Sequence, residues 1–364
     1  MSRHISFRDF DWTLLGVVLL ICGLGIMEIY SASANTKFAG VHVKQIYWVL
    51  AGVVVLFLAS LINYQLLLEN AHWFYLGALV SLVLVLVFGQ KYLGARRWIL
   101  LPGGQHFQPS EWVKLILILA VAKYLKDVHT RQLSVADIVK LGALVFVPML
   151  LVQKQPDLGT SLTYFPVLVM GLFLGGMRMK HAAALMVMAA VLMPVVWFFG
   201  LKDYQKARLT SFANPEDDPR GSGYQVQQSL IAVGSGGIWG KGFRQGTQTQ
   251  GMFLPVTHTD FAFAAYAEEQ GLVGALGALL LYFMMLMRLL QNAQTTPDRG
   301  GAFIIMGAVG VLAFHILVNV GMVVGFLPVT GIPLPLFSYG GSSMLFTFLA
   351  LGVVMNIRMR RFVN

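Results

Sequence analysis

Charge is scarce in this sequence. Only 12% of its residues are Asp, Glu, Lys or Arg, and 57% are hydrophobic. A soluble domain carries roughly 25% charged residues. Half that supply leaves too little polar surface to cover a water-soluble globule of 364 residues. Cysteine is nearly absent. Cys22 stands alone in an apolar run, which excludes an intrachain disulfide. No Walker A sequence is present, so nucleotide chemistry is not expected. No closed set of metal ligands stands out, which leaves any metal unknown. No internal repeat or matched pair of broken helices of the transporter kind is evident either. The first apolar run, 12–30, ends in no clear small-residue cleavage pattern and is expected to stay as a helix. A formal net charge of +10 would suggest nucleic acid in a soluble protein. In a chain this apolar it reads as basic loops that set orientation, and no nucleic-acid partner is expected.

What the chain does have is long apolar runs. A spanning helix needs about 20 mostly apolar residues. Ten runs approach that length: 12–30, 43–62, 73–88, 111–124, 138–152, 158–175, 182–200, 260–290, 302–326 and 343–357. They predict an all-α polytopic membrane protein of about ten transmembrane helices, one membrane domain over 1–364. A polar stretch at about 201–259, rich in Gly, Asp, Gln and Pro, interrupts them. Loops beyond about 12–15 residues are functional or disordered. Short-loop Lys and Arg set the orientation. One side collects Arg3, Arg8, Lys123, Lys126, Arg131, Arg178, Lys180, Arg288, Arg299, Arg358, Arg360 and Arg361. The other holds Lys37, Lys44, Lys91, Arg96, Arg97 and Lys154. Both termini are therefore expected in the cytoplasm and 201–259 outside.

On that topology the polar clusters gather outside. They are Arg96 and Arg97, then Gln155, Asp157 and Thr160, then Asp260, then the 328–343 loop with Ser338 and Ser342. A substrate handled at the outer leaflet is the implication. Glu111 and Lys114 follow Pro109 and Ser110 at a helix start, three residues apart and able to pair. They either brace the bundle or line a polar cavity, because charge inside a span is costly. Asp260 stands where the chain re-enters an apolar helix, as an N-cap or as a general base. His258 beside it is weak evidence for a metal. Glu268 and Glu269 lie deeper and read as structural. The glycines of 234–246 surround Lys241 and Arg244, a flexible loop or a phosphate cradle.

At these residues the chain resembles the SEDS family of peptidoglycan glycosyltransferases, over essentially its whole length. The landmarks are Arg96-Arg97-Trp98-Ile99, Gln108-Pro109-Ser110-Glu111 with Lys114, and Gln155-Pro156-Asp157-Leu158-Gly159-Thr160. They continue with Gly240-Lys241-Gly242, His258-Thr259-Asp260-Phe261, and Leu327-Pro328-Val329-Thr330-Gly331 through Ser343. The Val329-Thr330-Gly331-Ile332-Pro333 form is similar to the elongation branch rather than the division branch. Ala262 stands where a larger aliphatic residue is common, a packing change.

The resemblance implies a ten-helix fold in the bacterial cytoplasmic (inner) membrane. It implies lipid II as substrate and a class B penicillin-binding protein as partner within the elongation machinery. It places the catalytic acid at Asp260 and an essential pair at Glu111 and Lys114. A divalent cation, Mg or Mn, is suspected in such proteins. In this reading Asp260 takes a proton from the acceptor hydroxyl. Arg96, Arg97, Lys114 or Lys241 meets the pyrophosphate, and Gln155, Asp157, Thr160, Arg244, Ser338 and Ser342 bind substrate. A lipid II flippase and a non-catalytic scaffold are the rival readings.

Overall fold

The computed structural model describes residues 9–92, 95–101, 105–128, 132–218 and 221–361. Arg3, Arg8 and Arg131 of the orientation argument lie outside the described residues. The chain opens with α1 (Trp12–Ser33), α2 (Val41–Leu61), α3 (Tyr64–Glu69) and α4 (Ala71–Phe88). A small antiparallel sheet follows, β1 (Gln90–Tyr92), β2 (Ala95–Leu101) and β3 (Gln105–Phe107), with β2 in the middle. Then come α5 (Pro109–Asp127), α6 (Val135–Lys154), α7 (Leu158–Leu162), α8 (Phe165–Leu174) and α9 (Met179–Val195). The second half holds α10 (Asp203–Ala213), α11 (Ser222–Gly236), α12 (Thr247–Gln250), α13 (Ala262–Gln294), α14 (Arg299–Val323) and α15 (Gly341–Met359).

Eight of these helices are long and apolar enough to cross a membrane: α1, α2, α4, α6, α9 with its π-helical extension, α13, α14 and α15. The other two expected spans take different forms. Helix α5 carries Glu111 and Lys114 in its first turns, and 158–174 is divided between α7 and α8. Local chemistry sets several starts. Asp11 caps α1 by accepting from the Leu14 amide, Ser134 and Asp137 form a capping box on α6, and Asp298 caps α14. Of the eight, α14 and α15 are buried most deeply, and no residue of α9 is fully buried.

The 201–259 stretch differs from the expected loop. It contains α10, α11 and α12. Helix α11 packs on the bundle: Ser229 Oγ donates to the Val323 carbonyl at 2.8 Å, and a Cβ on Gly236 would stand 2.2 Å from the Ala267 carbonyl oxygen. Helix α13 is broken at Gly271, which has φ +67 and ψ −168. The freed amides of Leu272 and Val273 donate to the carbonyls of Gly237 and Ile238 at 2.9 and 3.1 Å. The segment after α11 thus fills the break, because backbone groups in an apolar setting must find partners. At the far end of α13, Asp11 holds Arg288, Arg358 and Asn292. The start of α1 and the end of α15 therefore meet there, opposite Asp260.

Candidate active site

One polar rim forms where α5, α7 and α15 begin. Asp157 precedes α7 and accepts from the Thr160 amide at 3.2 Å and its hydroxyl at 2.9 Å. Gln108, just before α5, donates to Asp157 Oδ2 at 2.9 Å, and its amide donates to Ser342 Oγ at 3.3 Å. Arg97 on β2 lies 3.7 Å from Asp157 and also donates to the Pro156 carbonyl. Its side chain is a third exposed, so cationic surface remains open to a ligand. Arg97, Asp157, Thr160 and Ser342 of the expected set are thus gathered in one place.

Asp260 is fixed from α14. Asn319 Nδ2 donates to the Asp260 carbonyl at 2.9 Å and to the Ile332 carbonyl at 2.8 Å. The Asp260 carboxylate lies against Gly331, where a Cβ would stand 3.5 Å from Oδ2. Gly331 has φ +72, which suits glycine on its own account. The α7 turn reaches the same loop, since a Cβ on Gly159 would stand 2.5 Å from the Thr330 carbonyl oxygen. Arg208 of α10 donates to that carbonyl at 3.3 Å. Burial pushes the Asp260 pKa up to about 6. The Arg208 cation and the Thr259 hydroxyl pull it down, and the Asp157 carboxylate adds to the rise. A carboxylate in that range is ionised at neutral pH yet basic enough to accept a proton.

Beneath the rim lies a buried ion pair. Lys114 Nζ is 2.7 Å from Glu111 Oε2 and 3.2 Å from His315 Nε2, and the lysine is fully buried. His315 Nδ1 stands 3.2 Å from the Pro333 carbonyl. A carbonyl only accepts, so Nδ1 carries the hydrogen and Nε2 offers its lone pair to the ammonium. The Phe346 ring, 4.4 Å from Nζ, covers another side of the cation. His315 and Asn319 are four apart on α14. They tie the Lys114 pair and Asp260 to one loop, 330–333.

Other expected residues are engaged elsewhere. Arg96 donates to the carbonyls of Leu86 and Val87 at 3.2 and 3.3 Å, in the last turn of α4. Gln155 donates to the Leu82 carbonyl at 3.0 Å and is buried. Ser338 Oγ accepts from the Leu334 amide at 3.0 Å. Lys241 is 2.7 Å from Glu268, a buried carboxylate that also accepts from the amides of Gln248 and Thr249. The Arg244 amide donates to Glu269 at 3.0 Å, and its guanidinium stands over Tyr30. The glycine-rich stretch is thus anchored to two glutamates of α13. Among the described residues, no three His, Cys, Asp or Glu side chains come together as a metal site. An Mg or Mn ion at this rim would draw much of its shell from substrate phosphates and water.

Three residues of the site went unread in the sequence. His315 and Asn319 are polar groups within the 302–326 run, a signal that intramembrane polarity provides. Arg208 carried no signal within its polar stretch.

Against known proteins, residues 11–362 match the FtsW/RodA/SpoVE family, described as cell cycle protein. The chain is 40% identical over 352 residues to the peptidoglycan glycosyltransferase MrdB of Escherichia coli strain K12, covering 96% of this chain and 94% of that one. It is 31% identical to the peptidoglycan glycosyltransferase RodA of Treponema pallidum, covering 99% of this chain and all of that one at 100%. Among solved structures, a chain from a study of polymerization and crosslinking by a peptidoglycan synthase complex superposes with TM-score 0.84 and 32% identity, covering 98% and 99%. The rod shape determining protein RodA of Thermus thermophilus superposes with TM-score 0.72 and 30% identity, covering 97% and 98%. With a match that spans nearly every residue, the chain belongs to the FtsW/RodA/SpoVE family.

Proposed function

We propose that this chain is a peptidoglycan glycosyltransferase of the elongation branch, polymerising lipid II at the outer face of the bacterial cytoplasmic membrane, with both termini cytoplasmic. The observation that carries the reading is Asp260, a carboxylate with a pKa of about 6, fixed near Arg208 and the Asp157 rim. The reaction needs a base, a cationic welcome for the leaving group, and a fixed geometry. Asp260 takes the proton of an acceptor hydroxyl as that oxygen attacks the anomeric carbon of the donor sugar. The bond to undecaprenyl pyrophosphate breaks on the opposite face, so an α-linked donor gives a β-linked product. Arg97 and Arg208 face the charge that grows on the pyrophosphate, as planar, permanently charged donors. Lys114 adds positive potential from within the bundle, where low dielectric strengthens it. A class B penicillin-binding protein of the elongation machinery is the proposed partner, supported by the likeness to a synthase-complex chain.

Purified protein in liposomes with lipid II tests the reading. A ladder of glycan polymer on a gel is expected. Transfer of lipid II across the bilayer without polymer would favour the flippase and overturn it. A further prediction concerns Asn319, which holds the Asp260 and Ile332 carbonyls together. Asn319→Ala leaves both carbonyls short of a donor and is expected to cost about 1–3 kcal/mol of stability. It should also slow polymerisation at saturating lipid II, measured by the same gel. Unchanged rate and melting temperature would contradict it.

A further inference from the structure

Helix α1 carries a single charged residue, Glu28. It is fully buried, and neither of its carboxylate oxygens has a hydrogen-bond partner among the described residues. An ionised carboxylate left in that state is too costly to persist in an apolar setting, so a positive charge has to reach it.

Three contacts fix where Glu28 points. Gly25, one turn earlier on the same face, packs so closely on the Phe337 backbone that no Cβ would fit. Ser31, one turn later, donates its hydroxyl to Glu269 Oε1 of α13 at 2.6 Å. Tyr266, one turn before Glu269, meets the Phe337 ring edge-on with centroids 5.3 Å apart. Glu28 is thus set between the 334–338 loop and the Tyr266–Glu269 face of α13. Gln45 of α2 joins the same loop. Its Nε2 donates to the Ser338 carbonyl at 3.1 Å, and its buried Oε1 has no partner among the described residues.

Charge at this seam runs one way. The charges that act on Glu28 are those of Glu269 and Glu268, both of its own sign. Lys241 is committed to Glu268 at 2.7 Å, and the Arg244 guanidinium stands over Tyr30. Tyr266 of α13 and His42 of α2 are the other titratable neighbours, and the His42 ring packs on Tyr30. The 334–338 loop holds no titratable side chain. Three carboxylates therefore share one lysine. Among the described residues they do not close into a three-ligand metal site, which speaks against a divalent ion. A unit charge needs only one carboxylate and neutral oxygens such as Gln45 Oε1.

We propose that Glu28 is the centre of a monovalent-cation site, taking a proton or an alkali ion, at the seam of α1, α2 and α13. Loading lets α1 stay seated on α13 and on the loop that leads back to Gly331 beside Asp260. In the unfolded chain Glu28 lies in water and makes no such demand, so the cation favours the folded state. The site is separate from the chemistry assigned to Asp260, and its test does not use activity.

The test is thermal unfolding of the full chain in a neutral detergent, from pH 6 to pH 9, in choline, sodium or potassium chloride at equal ionic strength. In choline the wild-type melting temperature should fall by about 5 °C more than that of Glu28→Gln across this range. The amide keeps the shape of the acid and has no charge to neutralise, while every other titrating group is common to both proteins. If sodium or potassium restores the wild type at pH 9 and leaves the variant unmoved, the ligand is the alkali ion. If neither salt does so, it is the proton. Glu28→Met should be as indifferent to pH and salt as Glu28→Gln, and it replaces that variant if the amide fails to fold. Wild-type and variant curves that run parallel in all three salts would overturn the proposal. So would a wild-type melting temperature that stays level in choline.

Discussion

Replacing Asp260 with Asn should lower the rate of polymer formation from lipid II by about 10²–10⁴-fold, the usual contribution of a positioned general base. The amide keeps the shape of the side chain and cannot accept the hydroxyl proton. Fold damage is not the expected cause. The structure raises the Asp260 pKa from 3.8 to about 6, so the native state binds that proton more tightly than the unfolded chain. Stability from this group therefore falls as pH rises through that window, and at neutral pH the folded state carries the cost of a buried, ionised carboxylate. Removing the charge should leave the melting temperature at pH 7.5 unchanged or higher. An inactive variant that melts no lower separates chemistry from folding. A variant that is inactive because it melts well below wild type would instead make Asp260 a structural residue.

The second large effect is expected at Lys114. Lys114→Met strips the buried Glu111 carboxylate of its ammonium partner. Breaking a buried pair from one side costs roughly 3–5 kcal/mol, most of it the penalty of the uncompensated charge. Glu111→Gln combined with Lys114→Met removes both charges at once. The double variant should recover most of the lost stability, because a buried pair is itself weakly stabilising once desolvation is counted. Activity should not return, since the positive potential behind the rim is gone. Thermal unfolding and polymer yield, measured on the same three preparations, decide the matter. A double variant that polymerises at the wild-type rate would reduce the pair to bracing.

The long apolar runs were legible because a bilayer demands nearly continuous hydrophobicity and little else produces it. The position of Asp260 at the edge of such a run was legible too, but the residues alone left it an N-cap or a base, and only the family resemblance pointed to the base. Partners were not legible. Arg96 and Arg97 are neighbours in sequence, yet one donates to the end of α4 and the other lies beside Asp157. Alternation along β2 sends adjacent side chains to opposite faces, and that strand was not foreseen. Lys241 looked free among glycines, but its partner is Glu268, 27 positions away. The helical content of 201–259 was hidden by its glycine, glutamine and aspartate. Helix α11 there is stabilised by packing on α13 and α14 rather than by its own propensity. The break at Gly271 was unreadable for the same reason, since its amides are satisfied by a segment more than thirty residues earlier.

In the proposed mechanism Asp260 is a base whose proton affinity is set by its surroundings. A pH–rate profile of polymerisation, on wild type and on Arg208→Gln, measures that property at its source. For wild type, activity should fall tenfold per pH unit below about 6, as the carboxylate takes up its proton. Loss of the Arg208 cation favours the protonated form, so the acid limb should move to higher pH in the variant. A wild-type rate that stays level from pH 7 to pH 5, or a limb that Arg208→Gln leaves in place, would contradict it.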